Sequence, residues 1–142
     1  MSILLDTNVL SETTRLVPDK NVINFLSREK ATYISSLTIY ELKYGAELVK
    51  ESHKRKRLIS WVNLILEKHK ASILPITTNV AETAAVLKAN ASKAGYTLHI
   101  EDAIIAATAV EHRLVLATRN TSDFAVTHIK HINPWKEFTT LP

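Results

Sequence analysis

Of the 14 acidic residues in the chain, four sit where an ordinary solvated carboxylate has no reason to be. Asp6 closes the apolar run Ile3, Leu4, Leu5. Glu41 has Tyr40 and Leu42 as immediate neighbours. Asp102 lies near the amino end of residues 100–111, a segment with almost no polar side. Asp123 follows the apolar stretch 114–117 after a short turn. A carboxylate in apolar surroundings has to be paired, hydrogen-bonded, metal-bound or protonated. Four brought together repel one another, and a hard divalent cation relieves that repulsion. Magnesium or manganese suits an all-oxygen site in a chain without cysteine. Such a cluster can position a phosphodiester, generate hydroxide from bound water and stabilise charge on the departing oxygen.

Each acid also has a plainer role open to it. Asp6 or Thr7 can cap a helix starting near Asn8. Thr38 and Glu41 are spaced for a capping box, as are Asn120 and Asp123. Glu101 and Asp102 suit the positive end of a helix dipole. Being adjacent on a helix they point about 100° apart, so they cannot serve one site equally. The set says more than any member. Asp6 and the turn after Ala117 both belong at carboxyl ends of strands, where open α/β sheets bind ligands. If the first and fourth strands are neighbours, Asp6, Asp102 and Asp123 converge on one crevice, and Glu41 can enter from the helix after the second strand.

The elements that must do this positioning follow from the hydrophobic pattern. Strands are expected at the opening apolar run, at 31–35, 73–76, 114–117 and 129–132. Pro18 and Asp19 introduce a helix over 19–28 with Val22, Ile23, Phe25 and Leu26 inward. A second helix, 37–49, carries Leu37, Tyr40, Tyr44 and Leu48 at helical intervals, with Gly45 inside it at some cost; a core face and a dimer or partner surface explain the pattern of this helix and the next equally well. Leu58, Trp61, Val62, Ile65 and Leu66 mark a third. A fourth spans 79–93, with Asn79 and Glu82 spaced as a reciprocal cap and Gly95 ending it. The segment 100–111 reads as a helix buried against the sheet. Pro134, Trp135 and Phe138 are expected to fold back as a packed tail. Strands alternating with helices indicate a single α/β domain, 1–142, with a mostly parallel sheet covered on both faces.

Composition narrows the chemistry. No linker, repeat, secretory signal or bilayer-length apolar run is visible, and the absence of cysteine suits a reducing cytoplasm. With only Gly45 and Gly95 present, neither a P-loop nor a dinucleotide glycine turn can be built. His128 and His131 would face opposite sides of a strand, and the other histidines are scattered, so zinc has no obvious site. Net charge is +4. Its densest cations, Lys50, Lys54, Arg55, Lys56 and Arg57, with His53 among them, form either a solvated helix face or a footprint for a phosphate backbone.

These residues carry a family resemblance. The chain resembles PIN-domain ribonucleases of the VapC toxin type, in the branch that includes FitB. The likeness rests on LLDTNVLSE (4–12), SSLTIYELKYG (35–45), IEDAIIAATAVEH (100–112), LVLATRNTSDF (114–124) and the closing INPW (132–135). It implies a PIN-like three-layer sandwich around a five-stranded sheet, with Asp6, Glu41, Asp102 and Asp123 as the acidic metal site. The family pattern favours Asp102 over Glu101. Thr7, Asn8, Thr118 and Asn120 would hold the ligands or position substrate, and Arg119 would touch phosphate. The implied activity is Mg²⁺- or Mn²⁺-dependent endonucleolytic cleavage of RNA, leaving a 5′-phosphate and a 3′-hydroxyl. Implied partners are a second copy of the chain, a cognate antitoxin encoded alongside, and operator DNA through that antitoxin, with no membrane. Two competing readings remain: a catalytically silent or weakly active PIN protein working mainly in an antitoxin–operator complex, and a nuclease directed at DNA.

Overall fold

The structure, a computed structural model, describes residues 1–136. Five strands, β1 (Ile3–Leu5), β2 (Thr32–Ser35), β3 (Ile73–Leu74), β4 (Val115–Ala117) and β5 (His131–Ile132), form one sheet in the order β3-β2-β1-β4-β5. All four pairings are parallel. The adjacency of first and fourth strands, the condition for three acids to meet, is met: Leu5 is in register with Ala117.

Alternation along β1 sorts the core into two layers, because successive strand residues face opposite ways. Ile3 and Leu5 pack with α1 (Thr7–Glu12), α2 (Lys20–Arg28), α3 (Ser36–Glu47) and α4 (Ser52–Lys68) through Val9, Val22, Phe25, Leu42 and Val62. Leu4 faces the other way, onto Ile105, Ala106 and Ala109 of α6 (Ile100–His112) and Phe124 of α7 (Thr121–Ala125). Outside α6 lies α5 (Thr78–Lys93), joined to it through Val80, Ala84, Ala91, Ala103 and Ala107. This explains the nearly featureless sequence of α6. One side meets the sheet and another meets α5 through alanines that let the two helices approach closely. Ile100 and Val110, by contrast, lie on the exposed side.

Several local expectations are corrected. β3 stops at Leu74 because Pro75 has no N–H to continue the ladder. β5 contains His131 but not His128, which sits in the preceding turn at φ 58°. α5 is capped by Thr77, whose hydroxyl accepts the Val80 N–H at 3.1 Å, rather than by Asn79 with Glu82. On α3 the buried stripe is Leu37, Thr38, Leu42 and Ala46, leaving Tyr40, Tyr44 and Leu48 exposed. Pro134 is buried and Trp135 packs on the first core layer; Phe138 lies outside the described residues.

The two glycines behave oppositely. Gly95 ends α5 at φ +85°, with its own N–H donating to the Ser92 carbonyl and that of Tyr96 to the Ala91 carbonyl, the two bonds of a Schellman closure. Gly45 is inside α3 with nothing within 4 Å of an added Cβ, so no close packing uses its bareness. Gly95→Ala should therefore destabilise the protein by about 1–2 kcal/mol through left-handed backbone strain. Gly45→Ala should stabilise it by about 0.5–1 kcal/mol. Urea denaturation of the two variants checks the opposite signs.

Candidate active site

Strand pairing brings the first two parts of the site together. The Leu5–Ala117 pair is the last of the β1–β4 ladder, so Asp6 and Thr118 leave the sheet side by side. The Asp6 N–H donates to the Ala117 carbonyl at 3.0 Å. Thr118 Oγ1 then donates to Asp6 Oδ2 at 2.8 Å. Asp6 is 6% exposed and Thr118 fully buried. Asp6 also performs the capping role open to it, since its Oδ1 accepts the Thr7 N–H at 2.8 Å at the start of α1. Asn8 adds a third donor, Nδ2, 3.3 Å from Oδ2. One carboxylate thus receives three donors, which fixes its rotamer and offsets part of the cost of burial.

The same turn reaches Glu41. Ser35, the last residue of β2, caps α3 by accepting the Leu37 N–H at 3.1 Å, so the capping-box reading of Thr38 and Glu41 is not realised. Glu41 instead accepts a 2.8 Å hydrogen bond from Thr7 Oγ1, which also lies 3.3 Å from Thr38 Oγ1. On the other side, the Asn120 N–H donates to Thr118 Oγ1 at 3.0 Å, and the Arg119 N–H to Asn8 Oδ1 at 3.3 Å. The Arg119 guanidinium lies over the Trp135 ring, 5.1 Å from its centroid, within cation–π range.

Asp102 occupies the first turn of α6 and Asp123 that of α7. Asn120 precedes α7 without a side-chain capping bond, and Asp123 is exposed. Among the described residues neither carboxylate has a hydrogen-bonding side chain, and none of the four acids pairs with Lys or Arg. Electrostatics nevertheless ties them together. Burial pushes the Asp102 carboxyl up to about 6, helped by the charges of Asp6, Asp123 and Glu41 and opposed by His99. Burial raises Glu41 as well; the Thr7 bond opposes this, and Asp6 and Glu101 add to it. Asp6 is raised by burial against the pull of its Thr118, Thr7 and Asn8 hydrogen bonds. Glu101 acts on Glu41 from the exposed side of α6, whereas Asp102 is half-buried.

A cleft of about 400 Å³ is lined by Glu41, Asp102, Glu101, His99, Tyr40 and Tyr44. The sequence pattern assigns the two tyrosines to a helix face and gives His99 no role, so none of the three is expected at the site. A usable signal existed for the tyrosines: Tyr40 adjoins Glu41, and Tyr44 follows it by one turn. The basic run has a different location. Lys50 precedes α4 and the rest of the run forms its opening turns, where Glu51 caps the helix by accepting the His53 and Lys54 N–H groups. Arg55 is a brace, its guanidinium donating to the Val49 and Lys50 carbonyls at 3.1 and 3.3 Å. Lys50, Lys54, Lys56 and Arg57 are exposed, and none lines the acidic cleft.

The donor set is all oxygen, partly desolvated and mutually repulsive, which fits a hard divalent cation. Among the described residues no three His, Asp or Glu side chains stand close enough to form a finished metal-ligand group. The acids face one another as unneutralised charges, with Asp6 and Glu41 already held by hydroxyls.

Comparison with known proteins gives this edge a family. A model of the PIN domain matches residues 3–129. VapC ribonuclease Y4jK of Sinorhizobium fredii is 32% identical over 137 residues, covering 94% of this chain and 98% of that protein. Toxin FitB of Neisseria gonorrhoeae is 35% identical over 138 residues, covering 95% and 99%. The structure of FitAB bound to an IR36 DNA fragment superposes with a TM-score of 0.91 at 32% identity, covering 98% of this chain and 99% of that one. PIN-domain nucleases are in general dependent on divalent metal. The protein therefore belongs to the PIN-domain family, within its VapC group and on the FitB-like branch.

Proposed function

We propose that this chain is a Mg²⁺- or Mn²⁺-dependent endoribonuclease and the toxin of a type II toxin–antitoxin pair. The observation that carries the reading is the linked edge Glu41–Thr7–Asp6–Thr118, with the carboxyls of Asp102 and Asp123 in electrostatic reach. Asp6, Glu41, Asp102 and Asp123 would hold the cation. A divalent ion bound there supplies a lowered pKa for attacking water and neutralisation of charge at phosphorus. The chain's own contribution is pre-organisation. Thr118, Thr7 and Asn8 hold the Asp6 carboxylate, and Thr7 holds Glu41, so neither reorients as charge develops. Asn8 and Thr118 also brace the backbone of Arg119 and Asn120, and we assign the Arg119 guanidinium, which lies over Trp135, to a substrate phosphate.

The relatives support the partner assignments: one is named a toxin, and a FitAB complex is bound to DNA. We assign this chain a cognate antitoxin, operator DNA reached through that antitoxin, a second copy of itself, and a cytoplasmic location. Among the described residues no helix is long and apolar enough to cross a membrane. The DNA-bound FitAB structure also favours a second reading, in which a silent or weakly active chain serves mainly the operator complex.

Incubating pure protein with RNA, with and without Mg²⁺ or Mn²⁺ and with chelator, separates the two. Metal-dependent cleavage is expected, and Asp6→Asn and Asp102→Asn should each lower it by at least about 100-fold with the fold retained by circular dichroism. Undiminished cleavage by both variants would remove these acids from the chemistry.

A stability measurement follows from the raised Asp102 carboxyl. Its folded pKa exceeds the unfolded value, so the native state binds more protons between about pH 4 and 6. The group's contribution to stability is therefore lost as pH rises through that window. The full shift would be worth about 3 kcal/mol; half-exposure and solvent screening reduce it to about 1 kcal/mol. In chelator, Asp102→Asn should be more stable than the wild type by about 1 kcal/mol at pH 7 and no more stable at pH 4. Added Mg²⁺ or Mn²⁺ should raise the wild-type melting temperature and leave the variant's unchanged.

We also assign RNA-backbone contacts to Lys50, Lys54, Lys56 and Arg57, leaving Arg55 as a brace. Replacing Lys54, Lys56 and Arg57 with Gln should flatten the salt dependence of RNA binding by about 0.7 per lost contact in a log–log plot. An unchanged slope would make the run a solvated helix face.

A further inference from the structure

The chain after β5 leaves the sheet at the edge that carries the acids. Ala117 is in register with Ile132, and the Thr118 N–H donates to the Ile132 carbonyl at 3.0 Å. The residues that follow build a seat for one aromatic ring. Asn133 Oδ1 accepts the Trp135 N–H at 3.0 Å, Asn21 Nδ2 donates to the Trp135 carbonyl at 2.9 Å, and the side chain packs on the first core layer. Held at its N–H, its carbonyl and its ring, Trp135 is a fixed surface. Exposed Arg119 lays its guanidinium on it, 5.1 Å from the ring centroid.

A more obvious destination lies nearer along the chain. Arg119 follows Thr118, the residue whose hydroxyl donates to Asp6, and its own N–H donates to Asn8, which also bonds Asp6. Asp123 comes four residues later. A guanidinium beside partly desolvated carboxylates pairs with them readily, often through two parallel hydrogen bonds. Here it does not. Among the described residues Arg119 makes no ion pair, and the charges acting on Asp102 are those of Asp6, Asp123, His99 and Glu41.

Resting on the cation-site reading above, we propose that Trp135 is a positioning residue whose ring holds the Arg119 guanidinium off the acidic edge, keeping an internal cation out of the place of the divalent ion. The magnitudes suit that task. An exposed cation–π contact favours the stacked position about 2- to 5-fold, and an exposed arginine–carboxylate pair is favoured by about the same factor. With the two so closely matched, removing the ring is enough to send the arginine to the acids. A guanidinium kept on the ring also stays free for the substrate phosphate assigned to it. The plainer role, in which the contact pins the chain end, is already filled: Asn21, Asn133 and core packing hold Trp135 without Arg119.

The test reads metal affinity, not cleavage, because Arg119 is itself assigned to the substrate. Full-length wild type, Trp135→Leu, Trp135→Phe, Arg119→Gln and the double variant Trp135→Leu/Arg119→Gln are titrated with Mn²⁺ by calorimetry. Trp135→Leu should raise the Mn²⁺ Kd about 2- to 5-fold. Trp135→Phe keeps a weaker π-face and should fall between that value and the wild type's. In the Arg119→Gln background, Trp135→Leu should change the Kd by less than about 1.5-fold, because the arginine it would release is gone. NMR gives a second reading that survives a Leu variant too unstable to titrate. The wild-type Arg119 Nε–H resonance, identified by its loss in Arg119→Gln, should be shifted upfield by the indole ring and should hold that position through a Mg²⁺ titration.

A Kd unmoved by Trp135→Leu would overturn the proposal. So would a loss of affinity that persists in the Arg119→Gln background, which would make Trp135 a support of the fold alone. An Arg119 resonance that reaches the ring-shifted position only once Mg²⁺ is bound would also overturn it, since the metal and not the ring would then displace the arginine. A wild type that binds neither ion would defeat the cation site itself, a result distinct from tight binding that is indifferent to Trp135.

Discussion

The structure depends on one strand pairing and the charge it buries. β1 lies at the centre of the sheet, and its last paired residue, Leu5, is in register with Ala117 at the end of β4. From that register alone, Asp6 and Thr118 leave the sheet together, and a carboxylate is removed from water beside a buried hydroxyl. An uncompensated carboxylate there would cost several kcal/mol. Hydrogen bonds from Thr118, Thr7 and Asn8 offset much of that cost. A one-residue slip of β4 would break this arrangement and turn Leu116 from its core layer to the opposite face. The hydrophobic demand for register and the position of the acid are therefore one constraint.

The remaining acids reach the same edge through helix packing. Ala84, Ala91, Ala103 and Ala107 bring α5 close to α6, while Ile105, Ala106 and Ala109 seat α6 on the sheet. Its connection to β4 is short, with Arg113 in a left-handed conformation and the Leu114 N–H bonded back to the Ala109 carbonyl. A helix clamped on two sides and at its end has little freedom to slide. Asp102 is thus placed by the apolar contacts of α6, from the adjacent Ala103 onward, and not by a side-chain hydrogen bond of its own.

Much of this was legible in the sequence because the demands were extreme. A three-residue apolar strand ending in Asp6 and a nearly all-apolar α6 carrying Asp102 have few other homes in an α/β sheet. Legibility failed where two readings had similar hydropathy. On α3 the row 37, 40, 44, 48 looks more apolar than the row 38, 42, 46, yet Thr38 and Ala46 are buried and Tyr40, Tyr44 and Leu48 are not. Thr38 can go inside because Thr7 is there to meet its hydroxyl, a contact 31 residues away that no local pattern announces. The cap of α5 was misplaced for a related reason: Thr77 and Asn79 are both good capping residues, and backbone geometry chose between them. Arg55 likewise looked like one cation among five until the carbonyls of Val49 and Lys50 were beside it.

The balance of magnitudes explains why such a fold tolerates its own site. For half-exposed Asp102, burial and the repulsion of Asp6, Asp123 and Glu41 together cost about 1 kcal/mol after solvent screening. Against it stand two apolar layers, with Phe25, Phe124, Leu4, Leu5, Ile105 and Leu116 all essentially removed from water, each worth about 1.5–3 kcal/mol of burial. Core packing therefore carries the fold with the charges unneutralised. The acids need no structural partner among the lysines and arginines, and in the described residues they have none. A carboxylate already neutralised by an internal guanidinium would bind a cation poorly. Leaving the four unpaired keeps their attraction for a divalent ion, and the hydrophobic layers make that arrangement affordable.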